Sequence, residues 1–598
     1  MGFFLRKWDM ENFIEDSLVA NKVSLSELLG TVASQNTLAP ALTALRDSTP
    51  GGESINWTRS DLSKNVQLTG RFLKAKGITG QSKIALLLPN IPEYHLFLWG
   101  GMSVCGVAPI NPLLRPEYIV EILKELDADL LICPSENLDS GLWKRAQDVA
   151  KAIDGLEILE VGPNTEFSQC LDKNTDDNSA LEPRSLQSYA AHFHTGGTTG
   201  KPKIISLSLG NVLHVIKMLQ STLKFTSTDT FVCPLPLFHI AGAVIGGIAP
   251  LLSGTHVVMP SAGGLRDPDV LKNFWKILAH YKASIFVAVP TSLSALMTVP
   301  LDGADISSLD YILTGTAPLP LETARSFSRF TGKPLYPGYG MTEASGGVTF
   351  IPRGSIPKED SVGLPLPSLE LKIVNPKTKE MMPTGSVGNV LIKGPNVFNN
   401  ILDDVGKIDQ NWFDTGDMGR LDKDGWLTLT GRSKDLIIRG GHNIDPCTIE
   451  ETAAEFEGIS LVAAVGQVDD YAGEVPVLYI QLKSQNKNTF SLAEFEKFLN
   501  NSIAEPPARP KSIFIIDEMP LTAVGKIFKP ALRADAAKRR LNLLKEKFDF
   551  LPDEDWINVE TGKDGRLIVS LSSSSLSNDQ IDILKKMILS YPVELQLI

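Results

Sequence analysis

The chain has 598 residues, 43% of them hydrophobic and 21% charged, with a formal net charge of −12. That length exceeds a single core and predicts roughly three or four domains, and the ordinary hydrophobic content excludes disorder as the default. The acidic balance argues against a generic nucleic-acid binder, which needs a positive footprint, but leaves room for a local basic pocket.

The opening "MGFFLRKWDMENF" has too short an apolar run for a signal peptide, and Arg6 stands where a myristoylation signal places Ser or Thr. Short apolar runs such as "KIALLLP", "DLLICP", "HVVMP", "ASIFVAVP" and "YILTGTAP" alternate with amphipathic stretches such as "PEYIVEILKEL" and "PDVLKNFWKILAHY". Strands separated by helical patterns predict an α/β fold, a large N-terminal region of parallel or mixed sheets with helices. The uncharged stretches 94–114 and 231–265 are long enough to span a membrane, yet proline, glycine and histidine break both. They predict buried strands and helices, no transmembrane span, and leave peripheral membrane contact open. The cysteines (Cys105, Cys133, Cys170, Cys233, Cys447) lie far apart with no CxxC pair. This points to a reducing, cytoplasmic setting without disulfide framework or zinc site.

A polar, acidic segment at 172–184 reads as a surface connection, and "HTGGTTGKPK" follows at 194–203. The loop has the glycines, hydroxyls and lysines of a polyphosphate cradle. It is not a Walker A loop, because Thr195 holds the place of the first glycine and Pro202 that of the Ser or Thr after Lys201. Read alone, its plainer alternative is a solvated Gly/Thr/Lys loop.

Beyond Arg432 the texture changes: "KDLIIRGG", a helix from about 446, a strand in "VPVLYIQLK", a helix in "LAEFEKFLN" and the strand "SIFIID". These form a smaller α+β unit. From about 548, a strand "GRLIVSLS", a helix whose start carries a capping box of Ser577 and Gln580, and a terminal strand "VELQLI" make a short β-α-β-like extension of unreadable role. The expected boundaries are 1–432, 433–545 and 546–598.

Six strings occur in fixed order along with the loop: "PLFH" (236–239), "TGTAPL" (314–319), "YGMTE" (339–343), "WFDTGD" (412–417), "GRSKDLIIRGGHNIDPCTIEE" (431–451) and "PLTAVGK" (520–526). Together they resemble the acyl-adenylate-forming superfamily that includes acyl-CoA synthetases, firefly luciferase and peptide-synthetase adenylation domains, over residues 50–535. Singly, each string has a plainer reading: a Thr-Glu pair as a helix cap, "FDTGD" as a turn, a lysine as one of 57 solvated basic residues.

The resemblance implies that ATP, Mg²⁺ and coenzyme A are used on a small-molecule carboxylic acid. Activating a carboxylate with ATP brings an anion to a polyanion, so fixed cations and donors are needed. The resemblance assigns Thr195, Gly196, Gly197, Thr198, Thr199, Gly200 and Lys201 to the β- and γ-phosphates. Gly315, Thr316, Ala317 and Gly340 join the nucleotide set, with Tyr339 against adenine, Thr342 on the α-phosphate and Glu343 holding Mg²⁺. Asp417 would accept from the ribose diol, Arg432 would add a charged contact, and Lys526 would bridge carboxylate and phosphate. In the family the small domain then swings about a hinge, here Lys434, so that Arg439, Gly440 and Gly441 border a tunnel for CoA.

His239 is expected as a catalytic-site gate or pocket residue, followed by "IAGAVIGGIAPLL" with Gly242, Gly246 and Gly247 and no charge. Such a lining suits a fatty or other hydrophobic acid, and close helix packing is the other reading of its glycines. The function expected is a fatty acid-CoA ligase working through acyl-AMP. The alternatives are an acyl-AMP ligase loading a carrier protein, which the compact interval 343–417 disfavours, and a non-catalytic acyl- or nucleotide-binding scaffold. Oligomeric state is not readable.

Overall fold

The computed structural model describes residues 10–172, 181–195, 203–398, 407–408, 412–432, 435–439, 442–469, 471–543, 548, 550–551, 556–561, 567–572, 576–588 and 593–597. The apolar runs become strands of two large sheets. Lys83–Leu86, Gly106–Pro109, Leu130–Pro134, Glu157–Val161 and Tyr189–Thr195 run parallel in a six-stranded sheet, closed at one edge by antiparallel Lys203–Ser208. A nine-stranded sheet has Pro40–Leu45, His256–Met259, Thr230–Val232, Ile285–Ala288, Tyr311–Thr314 and Leu335–Tyr339 parallel at its centre, with antiparallel strands at both ends.

Both sheets are buried on two faces, and successive side chains divide between them. Phe231, Val257 and Ile285 enter the largest core beside Ile84, Leu86 and Val107 of the other sheet. Their neighbours Val232, Val258 and Phe286 turn to a second core with Trp275 and Phe327, and Ala85, Ala108 and Leu131 turn to a third. The two sheets therefore share one central core and carry helices outside it. Helix starts are locally encoded: Thr58 and Asp61 close a capping box on Arg59–Ala75, and Ser208 and Asn211 close one on Leu209–Leu223.

An antiparallel sheet follows, in which Trp412–Leu421 pairs with Gly388–Lys393 and Leu427–Arg432. The smaller C-terminal region holds a five-stranded sheet built on the long hairpin Ile459–Asp469 and Gly473–Leu482, flanked by helices Pro446–Ala454 and Leu492–Ser502. The expected extension strands and helix are present as Leu567–Leu571, Asn578–Ile588 and Val593–Leu597, and the Ser577–Gln580 capping box forms. One further strand, Ile557–Thr561, joins them antiparallel. Trp556, Ile557, Val569 and Leu584 pack on Ala537 and Leu541 of helix Lys529–Asn542, which docks the extension onto the small domain. Among the described residues no helix is long and apolar enough to cross a membrane.

Candidate active site

Parallel strands end on one edge of their sheet, so the loops leaving Thr230–Val232, Ile285–Ala288, Tyr311–Thr314 and Leu335–Tyr339 emerge side by side. This is the edge at which α/β sheets bind ligands. The four segments that leave these strands carry His239, Thr291, Thr316 and the pair Thr342 and Glu343. Backbone packs on backbone here: a Cβ on Gly315 would lie 2.7 Å from the carbonyl of Gly338 in the neighbouring strand, and one on Gly340 would collide with the Gly346 carbonyl of its own loop. Both glycines thus have a packing reason to be glycine. Thr316 beside them adopts φ 67°, a left-handed conformation costly for a β-branched residue, and its buried hydroxyl has no partner among the described residues. A ligand's polar atom would complete that group.

Asp417 and Arg432 are direct cross-strand partners. Arg432 Nε donates to Asp417 Oδ1 at 2.8 Å, and the Tyr339 hydroxyl donates to Oδ2 at 2.5 Å. Burial and the adjacent Asp417 carboxylate hold the Tyr339 phenol well above its usual range, and the same carboxylate raises the Arg432 guanidinium. A carboxylate has about four lone-pair sites, so two remain for outside donors such as a diol.

Glu343 sits in the single turn Thr342–Ala344, held from behind. Asn396 Nδ2 donates to the carbonyls of Ala344 (2.9 Å) and Gly347 (2.8 Å), and Phe398 N–H donates to the Glu343 carbonyl at 2.8 Å. Asn211 Nδ2 in turn donates to Pro395 O at 2.8 Å and Val397 O at 3.1 Å. Burial raises the Glu343 carboxyl, and Arg432 opposes that shift. No group of three or more metal-ligating side chains exists among the described residues. One carboxylate fits Mg²⁺, which binds through one or two protein carboxylates plus substrate phosphates.

Lys526 stands on the hairpin 520–528, closed by Thr522 N–H to Lys526 O (2.7 Å), Lys526 N–H to Thr522 Oγ1 (3.1 Å) and Phe528 N–H to Pro520 O (2.7 Å). The hairpin places its ammonium in the electrostatic field of Arg432, Asp417 and Glu343, and its charge is felt at His239. Burial, then Arg432, lowers it to about 8 against the pull of the two carboxylates. Residues from three separate parts of the sequence thus meet around one cation.

His239 ends the "PLFH" string, and its Nδ1 accepts from Ala241 N–H at 3.2 Å. Burial, with Lys526 and His194 nearby, lowers it to about 3, so it is neutral at pH 7. Asn90 clamps this loop from both sides, its Nδ2 donating to Leu235 O at 2.9 Å and its Oδ1 accepting from Leu237 N–H at 2.8 Å. The segment that follows is a π-helix, Ala241–Ile248, buried throughout. Its glycines are explained by packing rather than by an open pocket. A Cβ on Gly242 would strike the Pro236 carbonyl, one on Gly246 the Cys233 sulfur, and one on Gly247 would lie 3.1 Å from Gly242 O and 3.3 Å from the Trp99 ring.

Of the expected residues, Thr195 ends a strand, whereas Gly196, Gly197, Thr198, Thr199, Gly200 and Lys201 lie outside the described residues, as do Lys434, Gly440 and Gly441. Ala317 follows Thr316 in the same loop. Arg439 lies apart from the cluster on strand Ile437–Arg439, where its Nη1 donates to Pro507 O at 2.6 Å. Sequence reasoning missed Asn90, Asn396 and Thr291. Their partners are backbone groups far away along the chain, which no local string reveals.

The model of the AMP-binding enzyme family matches residues 32–402, and that of the AMP-binding enzyme C-terminal domain matches 448–526. The chain is 34% identical over 515 residues to marinolic acid–CoA ligase of Pseudoalteromonas sp. (strain SANK 73390), covering 83% of this chain and 78% of that protein. It is 26% identical to medium-chain fatty-acid–CoA ligase of Escherichia coli (strain K12), covering 81% and 86%. In fold it is similar to anthranilate CoA ligase AuaEII in complex with anthranoyl-AMP, with a TM-score of 0.77, 23% identity, and coverage of 87% of this chain and 98% of that one.

Proposed function

The chain belongs to the AMP-binding enzyme family, and from that premise we propose that it activates a hydrophobic, fatty carboxylic acid and transfers the acyl group to CoA. CoA ligases of this family use ATP, Mg²⁺ and CoA and work through acyl-AMP. The observation that carries the reading is the meeting of Lys526, Asp417, Arg432 and Glu343 at the C-terminal edge of the parallel strands.

In this reading the substrate carboxylate attacks the α-phosphorus of ATP, the bond to the β-phosphate oxygen breaks, and pyrophosphate leaves. Lys526 offsets the charge that accumulates between attacker and phosphate. Asp417 accepts from the ribose hydroxyls and Thr342 donates to the α-phosphate. Glu343 would hold Mg²⁺, which would supply charge neutralisation on the polyphosphate. The CoA thiolate then attacks the acyl carbon and AMP departs.

The change of task is assigned to a swing of the region beyond 432 about Lys434, with Arg439, Gly440 and Gly441 bordering the thiol's path. We assign 1–432, 433–545 and 546–598 as the large domain, the small domain and an extension that travels with the small domain. The phosphate role of 195–201 and the cytoplasmic setting belong to the same proposal.

The fatty substrate is supported by the similarity to a medium-chain fatty-acid–CoA ligase, and the segment after His239 brings no charged group to that side of the site. A panel of acids from acetate to long-chain fatty, aromatic and amino acids, each assayed for ATP-dependent pyrophosphate release with and without CoA, tests it. Preference for fatty chains with acyl-CoA as product supports the reading. Preference for an aromatic or polar acid overturns the substrate class, and stable acyl-AMP with no CoA product overturns the acceptor.

A further inference from the structure

We propose that Thr291 is a positioning residue for acyl-AMP formation, a latch that holds the Lys526 hairpin against the large domain. The inference rests on the two-step reading above and adds the contact that governs the first step.

Thr291 is the second residue of helix Pro290–Leu296, directly past the parallel strand Ile285–Ala288. Its Oγ1 donates to the carbonyl of Gly525, the residue before Lys526, at 2.8 Å and across 234 positions of sequence. The approach is close on both sides. Gly525 has φ 77°, and a Cβ there would lie 3.0 Å from Val289 Cγ2 and 3.2 Å from Thr291 Oγ1. Glycine supplies the left-handed turn and the room at once.

The hairpin is a closed unit. Gly525 N–H donates to Thr522 O at 2.9 Å, beside the Thr522–Lys526 pair already described. Fixing the Gly525 carbonyl therefore fixes the start of the Lys526 side chain. Ala523 and Val524 pack, partly buried, against the large core, so the tip is seated by two small apolar contacts and one directional bond. A single neutral hydrogen bond shifts an equilibrium by about fivefold. Such a bond is strong enough to favour the docked hairpin and weak enough to release it for thioester formation.

The test compares wild type, Thr291→Val and Thr291→Ser in two partial reactions and in amide hydrogen exchange without substrates. Thr291→Val is expected to lower acid-dependent pyrophosphate release about fivefold, to leave acyl-CoA formation from supplied acyl-AMP at the wild-type rate, and to speed exchange across 520–528. Thr291→Ser, which keeps the hydroxyl, is expected to restore all of these. Equal loss of both partial reactions, or no change in pyrophosphate release and exchange, would overturn the latch. Should wild type release no pyrophosphate with any acid, the proposed function fails, and exchange across 520–528 still decides the latch by itself.

Discussion

The Tyr339 hydroxyl donates to the Asp417 carboxylate at 2.5 Å although the two residues are 78 positions apart. Tyr339 ends a strand of the nine-stranded sheet and Asp417 lies in the antiparallel sheet beyond it, so this bond joins the two sheets at the proposed nucleotide side of the site.

Asp417→Asn keeps the shape but removes the charge that Arg432 and Tyr339 share. Bonds to charged groups contribute about 1.5–3 kcal/mol, so kcat/KM for ATP should fall roughly 10- to 100-fold. Steady-state rates with ATP varied give the answer, and a fall of less than about twofold would remove Asp417 from the nucleotide site.

Lys526 must be charged to act, and its ammonium is lowered to about 8 by burial and Arg432. The charged form dominates below that pH and is lost above it. The kcat/KM of acyl-AMP formation, which reports the free enzyme, should therefore decline as pH rises through about 8. Lys526→Arg, which stays charged, should abolish that limb whatever its absolute rate. A wild-type profile flat to about pH 10 contradicts this assignment.

How much of this was legible varied with the range of the interaction. Parallel α/β organisation was written in runs such as "ASIFVAVP", and the start of the last helix in the cap of Ser577 with Gln580, because both act within one element. The motifs named Asp417, Glu343 and Lys526, but their meeting depends on a strand, a turn and a hairpin that only folding brings together. Gly246 illustrates the converse. Its sequence context left an acyl pocket and close helix packing both open, and its tight neighbour Cys233, thirteen residues upstream just past another strand, accounts for it by packing. Strand Ile557–Thr561 escaped notice because its partner strand, not its own pattern, defines it.

Gly246→Val should accordingly act on stability rather than on substrate choice. The added side chain meets the Cys233 sulfur in a filled core, and overpacking of this kind costs about 1–3 kcal/mol. Thermal unfolding should shift downward while the ranking of acids stays unchanged. A changed chain-length preference at an unchanged melting temperature would return Gly246 to the pocket.

Asn90→Ala releases both backbone groups that its amide satisfies at Leu235 and Leu237. Leaving partly buried partners unmade costs about 1–3 kcal/mol, and the loop carrying His239 loses its clamp. The expected outcome is a higher KM for the acid with KM for ATP little changed. Parallel rises in both would mean a general loss of structure.

The most direct test of the account separates the two partial reactions in Lys526→Ala. Acid-dependent pyrophosphate release should fall by roughly two orders of magnitude or more, because the cation proposed to stand between carboxylate and phosphate is gone. Conversion of supplied acyl-AMP and CoA to acyl-CoA should continue near the wild-type rate. Pyrophosphate release at the wild-type rate, or equal loss of both reactions, would contradict the role assigned to Lys526 and with it the reading of the site.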